Sequence, residues 1–187
     1  MNILHLHCKI KSMNFITKIK LIPITLLVMP LIMQAQTKSI VQTNILLRKS
    51  PLQYQAPPFN KIKDKDFKPA FEYAIKEHNA EIDKITNNPA KPTFENTIVA
   101  LEISGQDLNR ATSVFYKLTA ANTNPTLQAI EEEYAPTFSA HFDNIFLNDK
   151  LYQRIKAIDI SILKGEDKKL AELYIKNFNM AGANLNE

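Results

Sequence analysis

Imidazole chemistry beyond residue 35 has only two side chains to draw on, His78 and His141. A hydrolytic zinc needs at least three protein ligands. His78 is followed one turn later by Glu81, and His-x-x-Glu on one helix face can hold a metal, but it needs a partner pair and none appears. Each histidine therefore reads as an ordinary helix residue at a core edge, His141 beside Phe138 and Phe142. Glu131, Glu132 and Glu133 are adjacent, so on a helix they point in different directions and form a solvated face rather than a catalytic carboxylate pair. Ser104-Gly105 has no base near it in sequence, and G-x-S-x-G is absent. Three scattered glycines cannot build a phosphate loop. The only cysteine, Cys8, rules out a disulfide scaffold and a Cys-based zinc knuckle. No catalytic, cofactor-binding or metal residue is assigned.

The net charge of +4 suggests an anionic partner, but its distribution argues otherwise. Residues 1–35 carry Lys9, Lys11, Lys18 and Lys20 and no acid, which leaves 19 basic and 19 acidic groups in residues 36–187. A neutral body lacks the electrostatic footprint of a nucleic-acid binder. The leader has the three-part layout of a secretory signal peptide, over residues 1–35 and with Met13 as an alternative start. Lys18 and Lys20 form its basic region, Leu21 to Met33 its apolar run, and Ala35 a small residue for cleavage. That run is shorter than the roughly 20 apolar residues of a membrane span and holds Pro23 and Pro30, so no stable membrane anchor is expected. Export to the periplasm follows as an expectation.

The elements that must position any site are helical. Residues 36–64, with Pro51, Pro57 and Pro58 and no sustained period, read as an extended arm. From 65 to 187 the apolar spacing predicts an all-α array of about five helices. The first runs from about Asp66 to Thr86, with Phe67, Phe71, Ala74, Ile75, His78, Ile82 and Ile85 on one stripe. The second starts at the N-cap Thr93 and runs to about Ala121 with Gly105 in its interior. The third opens at Asn124-Pro125, turns Leu127, Ile130, Tyr134, Phe138, Phe142 and Ile145 inward, and should kink at Pro136. Asn148-Asp149 caps a fourth helix to about Ile160, and Gly165 to Ala181 forms a fifth, stopped by a left-handed Gly182.

Residues 92–136, PTFENTIVALEISGQDLNRATSVFYKLTAANTNPTLQAIEEEYAP, resemble the N-terminal helical part of the peptidyl-dipeptidases (dipeptidyl carboxypeptidases) of the thimet oligopeptidase and oligopeptidase A family. PPFNKIKDKDFKPAFEYAIKEHNAEIDKI before it and FNMAGANL at 178–185 are similar too, so the likeness runs from about Asn44 to Glu187. The resemblance implies a zinc metallopeptidase of almost wholly helical fold, with two lobes flanking a deep channel. It implies short unstructured peptides as substrates, cut by removal of C-terminal dipeptides. Zinc in that family is held by H-E-x-x-H and a later glutamate, with the first glutamate polarising the attacking water. No His-Glu dipeptide occurs anywhere in this chain, so no catalytic or metal residue carries over. The expectation is part of one lobe of such an enzyme, truncated before the catalytic region, binding no zinc and inactive alone. The alternatives are a stand-alone helical binding module, a gene remnant, or a protein tethered by an uncleaved leader.

Overall fold

The computed structural model describes residues 40–183. The signal-peptide reading of residues 1–35, the start of the arm and the last four residues lie outside that range. All regular structure among the described residues is helical, with no strand.

Six α-helices follow one another: α1 Phe67–Thr86, α2 Ala100–Glu102, α3 Gln106–Asn122, α4 Pro125–Phe146, α5 Asp149–Lys156 and α6 Gly165–Ala181. Most ends sit where local chemistry puts them. Asn124 and Asn148 accept hydrogen bonds from the backbone N–H groups of Leu127 and Leu151, satisfying donors that the first turn leaves free. Gly182 ends α6 at φ 97°, a backbone conformation open to glycine. α4 runs unbroken through Pro136, so the expected kink does not interrupt its helical backbone. α5 stops at Lys156, earlier than the expected Ile160.

The expected second helix is the largest departure. It opens with a wider π turn over Phe94–Val99, becomes α2, and breaks. Gly105 takes φ 66°, so the chain turns and restarts as α3. A helix-interior Gly105 with right-handed torsions is therefore not what the chain builds. At the π turn, Thr93 Oγ1 accepts from Asn96 N, while Asn96 Oδ1 accepts from Thr93 N. Asn96 Nδ2 donates to Lys91 carbonyl.

Residues 40–43 are helical, and the arm continues through short 3-10 turns at Ile45–Leu47, Gln53–Gln55, Phe59–Lys61 and Asp64–Asp66. It docks through Leu46 and Leu47, both buried, and through Asn44, whose Nδ2 donates to Asp66 carbonyl at 2.7 Å. α1 packs mainly along α3 and also meets α4 and α5. One buried cluster joins the arm, the first half of α1, α3 and most of α4, around Phe67, Phe71, Phe115 and Phe138. The Phe71 ring lies edge-on to Phe115 and Phe138, with centroids 5.3 and 4.9 Å away, a favourable aromatic geometry. A second cluster holds the end of α1, Leu101, Ile145, α5 and Phe178. A third holds Phe94, Ile98, Ile158 and Ala171.

Between elements, Arg154 of α5 is buried and acts as a strap. Its Nη1 donates to the carbonyls of Asn88 and Ala90 at 2.7 and 3.4 Å, and its Nη2 donates to Asn96 Oδ1 at 3.2 Å. The guanidinium thus fixes the loop leaving α1 to the π turn that follows it. A planar fork of donors suits this task, and an ammonium does not.

Candidate functional site

The structure brings the two histidines together. His78, from the middle of α1, and His141, from α4, are 8% and 4% exposed. His141 Nε2 lies 3.0 Å from His78 Nδ1, across 63 positions of sequence. The other His78 nitrogen, Nε2, is 3.1 Å from Ser104 Oγ, at the corner between α2 and α3.

The hydroxyl decides where the protons sit. Ser104 Oγ has one hydrogen, and it donates to Leu101 carbonyl at 2.7 Å. The oxygen then accepts from His78 Nε2–H. His78 Nδ1 is left as an acceptor, so His141 donates to it through Nε2–H. With Ser104 donating to Leu101 and both rings neutral, each ring carries its proton on Nε2. Burial pushes both imidazoles below their usual pKa, which fits this assignment. The Glu81 carboxylate acts the other way on His78, and burial outweighs it. His78 lowers His141 further.

Gly105 makes the corner possible. A Cβ there would come within 2.7 Å of the His78 ring, and the left-handed backbone already disfavours a side chain. Its N–H donates to Glu81 Oε2 at 2.7 Å. Glu77, Glu81 and Asp107 line a cleft of about 240 Å³ against His78, Gly105 and Gln106. The Tyr73 hydroxyl has a raised pKa, first through burial and then through Glu77, Asp107 and Glu81.

Ser104 has no base near it in sequence, and His78, 26 residues earlier, is the ring that reaches it. Serine, histidine and a second histidine in series have the connectivity of a nucleophile, a base and an orienting group. While Ser104 Oγ donates to the Leu101 carbonyl, its hydrogen is not aimed at His78, as acyl transfer would require. An oxyanion needs free donors. The Gly105 N–H is engaged by Glu81, whose carboxylate would repel one.

Zinc does not fit these residues either. The facing imidazole nitrogens bond to each other, and Glu81 turns to Gly105. Among the described residues no three His, Cys, Asp or Glu side chains converge as a metal would require. Glu132 and Glu133 are exposed on α4 and Glu131 is half-buried, with Glu133 ion-paired to Lys68.

The spacing of α4 did not separate His141 from Phe142. Phe142, expected inward, is 43% exposed, and His141 takes its place. The buried positions of α4 are Leu127, Ile130, Tyr134, Phe138, His141 and Ile145. These advance by three and four residues, as one helix face demands. Phe142 in that place keeps three- and four-residue steps as well, so the period alone does not choose between the two rings.

The chain is similar to dipeptidyl carboxypeptidases. It is 41% identical to that of Salmonella typhimurium over 151 residues, which is 79% of this chain and 22% of the relative. It is 39% identical to that of Escherichia coli over 146 residues, 76% of this chain and 21% of the relative. It is also 28% identical over 138 residues to oligopeptidase A of Haemophilus influenzae, 70% of this chain and 20% of the relative. No protein-family model matches. Over this shared stretch the chain is similar to dipeptidyl carboxypeptidases and oligopeptidase A, which is consistent with the thimet oligopeptidase family. It spans about a fifth of the length of these curated relatives.

Proposed function

We propose that the chain is a section of an exported zinc peptidyl-dipeptidase that removes C-terminal dipeptides from short peptides. It forms part of one wall of the substrate channel. The zinc ligands and the reacting groups belong to polypeptide outside this chain, and the chain alone cleaves nothing. The observation that carries this reading is the 41% identity to a dipeptidyl carboxypeptidase over most of the chain. The His78–His141–Ser104 geometry agrees with a non-catalytic role, because its protons are placed for support rather than for attack.

Export to the periplasm rests on the leader, with Lys18, Lys20, the Leu21 to Met33 run and Ala35. Among the described residues no helix is long and apolar enough to cross a membrane. The mass of the exported protein tests this part of the reading. A mature chain beginning near Gln36 is expected, and a mass that retains the leader overturns it.

Activity is tested by incubating the purified chain with zinc and a blocked tripeptide. No dipeptide is released if the reading holds. Zinc-dependent release overturns it.

One observation favours a stand-alone binding module instead. Phe67, Phe71, Phe115 and Phe178 are fully buried within this chain, so its core closes without help. The two readings differ on the exposed apolar side chains Ile103, Leu147, Ile162, Leu173 and Met180. A wall section leaves such surface for its missing neighbours and self-associates. A module is monodisperse and melts cooperatively.

A further inference from the structure

A polar layer divides the interior at the histidine pair. On α1, Phe67, Phe71 and Ala74 belong to one buried cluster and Ile82 and Ile85 to another, and His78 stands between. On α4, Phe138 belongs to the first and Ile145 to the second, and His141 stands between. The remaining stretch repeats the arrangement. Leu101 lies in the second cluster and Leu108 in the first, and Ser104 and Gly105 stand between. Three separate stretches thus change clusters at one level, where side-chain bonds run from His141 through His78 to Ser104.

We propose that this layer is an acid-sensitive latch, holding α1, α4 and the α2–α3 corner in register while both imidazoles are neutral and releasing them as the layer takes up protons. The latch concerns the folded state of this chain and does not rest on the peptidase reading. Its chemistry follows from the proton positions. One ring nitrogen is open, His141 Nδ1, which has no hydrogen-bond partner among the described residues. A first proton added there charges the buried layer and leaves the histidine–histidine bond intact. A second finds no free lone pair on His78, since Nε2 carries a proton and Nδ1 is accepting. It binds only when the bond between the rings breaks. Two donors then face each other, and the rings separate.

The charged groups around the layer oppose this only in part. Glu77 and Glu81 face it from α1 and Asp107 from α3, and Tyr73 stays neutral in acid. Glu81 favours a charged His78, but burial outweighs it. The unfolded chain takes up protons near the ordinary value of 6.5, and the folded layer only at lower pH. The stabilisation is therefore complete above about pH 6.5 and is lost as pH falls through the folded values.

The test is imidazole nitrogen NMR on the isotopically labelled 187-residue chain, titrated from about pH 8 to about pH 4.5. At the alkaline end both rings should report the Nε2–H tautomer. Both should titrate below 6.5, in two separated steps, because the second proton must break a bond that the first leaves intact. Either ring titrating at or above 6.5, or the two titrating together as independent groups, overturns the proposal. A second arm compares thermal unfolding of the wild type with His141→Gln. Glutamine keeps an N–H for His78 and removes one titrating group. The fall in melting temperature between about pH 7.5 and about pH 5 should be smaller in the variant. Equal falls reduce the layer to an ordinary buried hydrogen bond. If the variant does not fold, the titration of the wild type decides alone.

Discussion

The Gly105 Cα sits so close to the imidazole of His78 that a methyl group added there would overlap the ring at 2.7 Å. A glycine on one stretch of chain and a histidine on another therefore fit only as a pair. Gly105 also holds φ 66° and gives its N–H to Glu81. Gly105→Ala meets both costs, a left-handed torsion and an overpacked contact with a buried ring. It should destabilise the chain by about 2 to 3 kcal/mol. Denaturant unfolding of the purified variant measures this. A loss of only a few tenths of a kcal/mol contradicts the contact.

Phe71 sits among Phe67, Phe115, Tyr134 and Phe138, with ring centroids 4.9 to 5.9 Å away. Phe71→Ala empties a site that is wholly buried. The expected loss is about 3 to 5 kcal/mol. Tyr116→Ala, on the partly exposed side of α3, should cost far less. Comparable losses at the two positions show that the aromatic cluster is not the centre of the fold.

Arg154→Met keeps much of the buried volume but withdraws donors from two carbonyls and from Asn96. The acceptors are half-buried or exposed, so water takes over part of the role and the total should be about 1 to 3 kcal/mol. Amide hydrogen exchange should quicken first in residues 88–97. Arg154→Lys should recover only part of the loss, because one ammonium cannot span all the acceptors. Full recovery by lysine shows that charge, not the fork, matters there.

Asn124 and Asn148 cap α4 and α5 with the same bond. Asn124→Ala and Asn148→Ala should each cost about 1 kcal/mol, and Asn148→Asp should cost less than Asn148→Ala. Chemical unfolding of the three single variants checks the order.

Features set by a few neighbouring residues were legible in the sequence. Asn124-Pro125, Asn148-Asp149 and Gly182 mark their helix ends because each supplies the local bond or torsion that an end requires. The α1 stripe was legible because its period is regular. The break at Gly105 was not, since glycine is tolerated within helices at modest cost and only the distant His78 ring shows why this one cannot be. The histidine pair was hidden for a similar reason. Nothing near Ser104 in sequence reveals that α1 passes beside it. Phe142 was placed inward by hydrophobicity, and the three- and four-residue period of α4 fits either it or His141. The resemblance to dipeptidyl carboxypeptidases was carried by local motifs and holds over 79% of the chain.

Sequencing the source DNA past the codon for Glu187 tests the proposal that this chain is one section of a zinc peptidyl-dipeptidase. The same frame, or a shifted one, is expected to continue into H-E-x-x-H and a later glutamate. A true stop followed by unrelated sequence contradicts it.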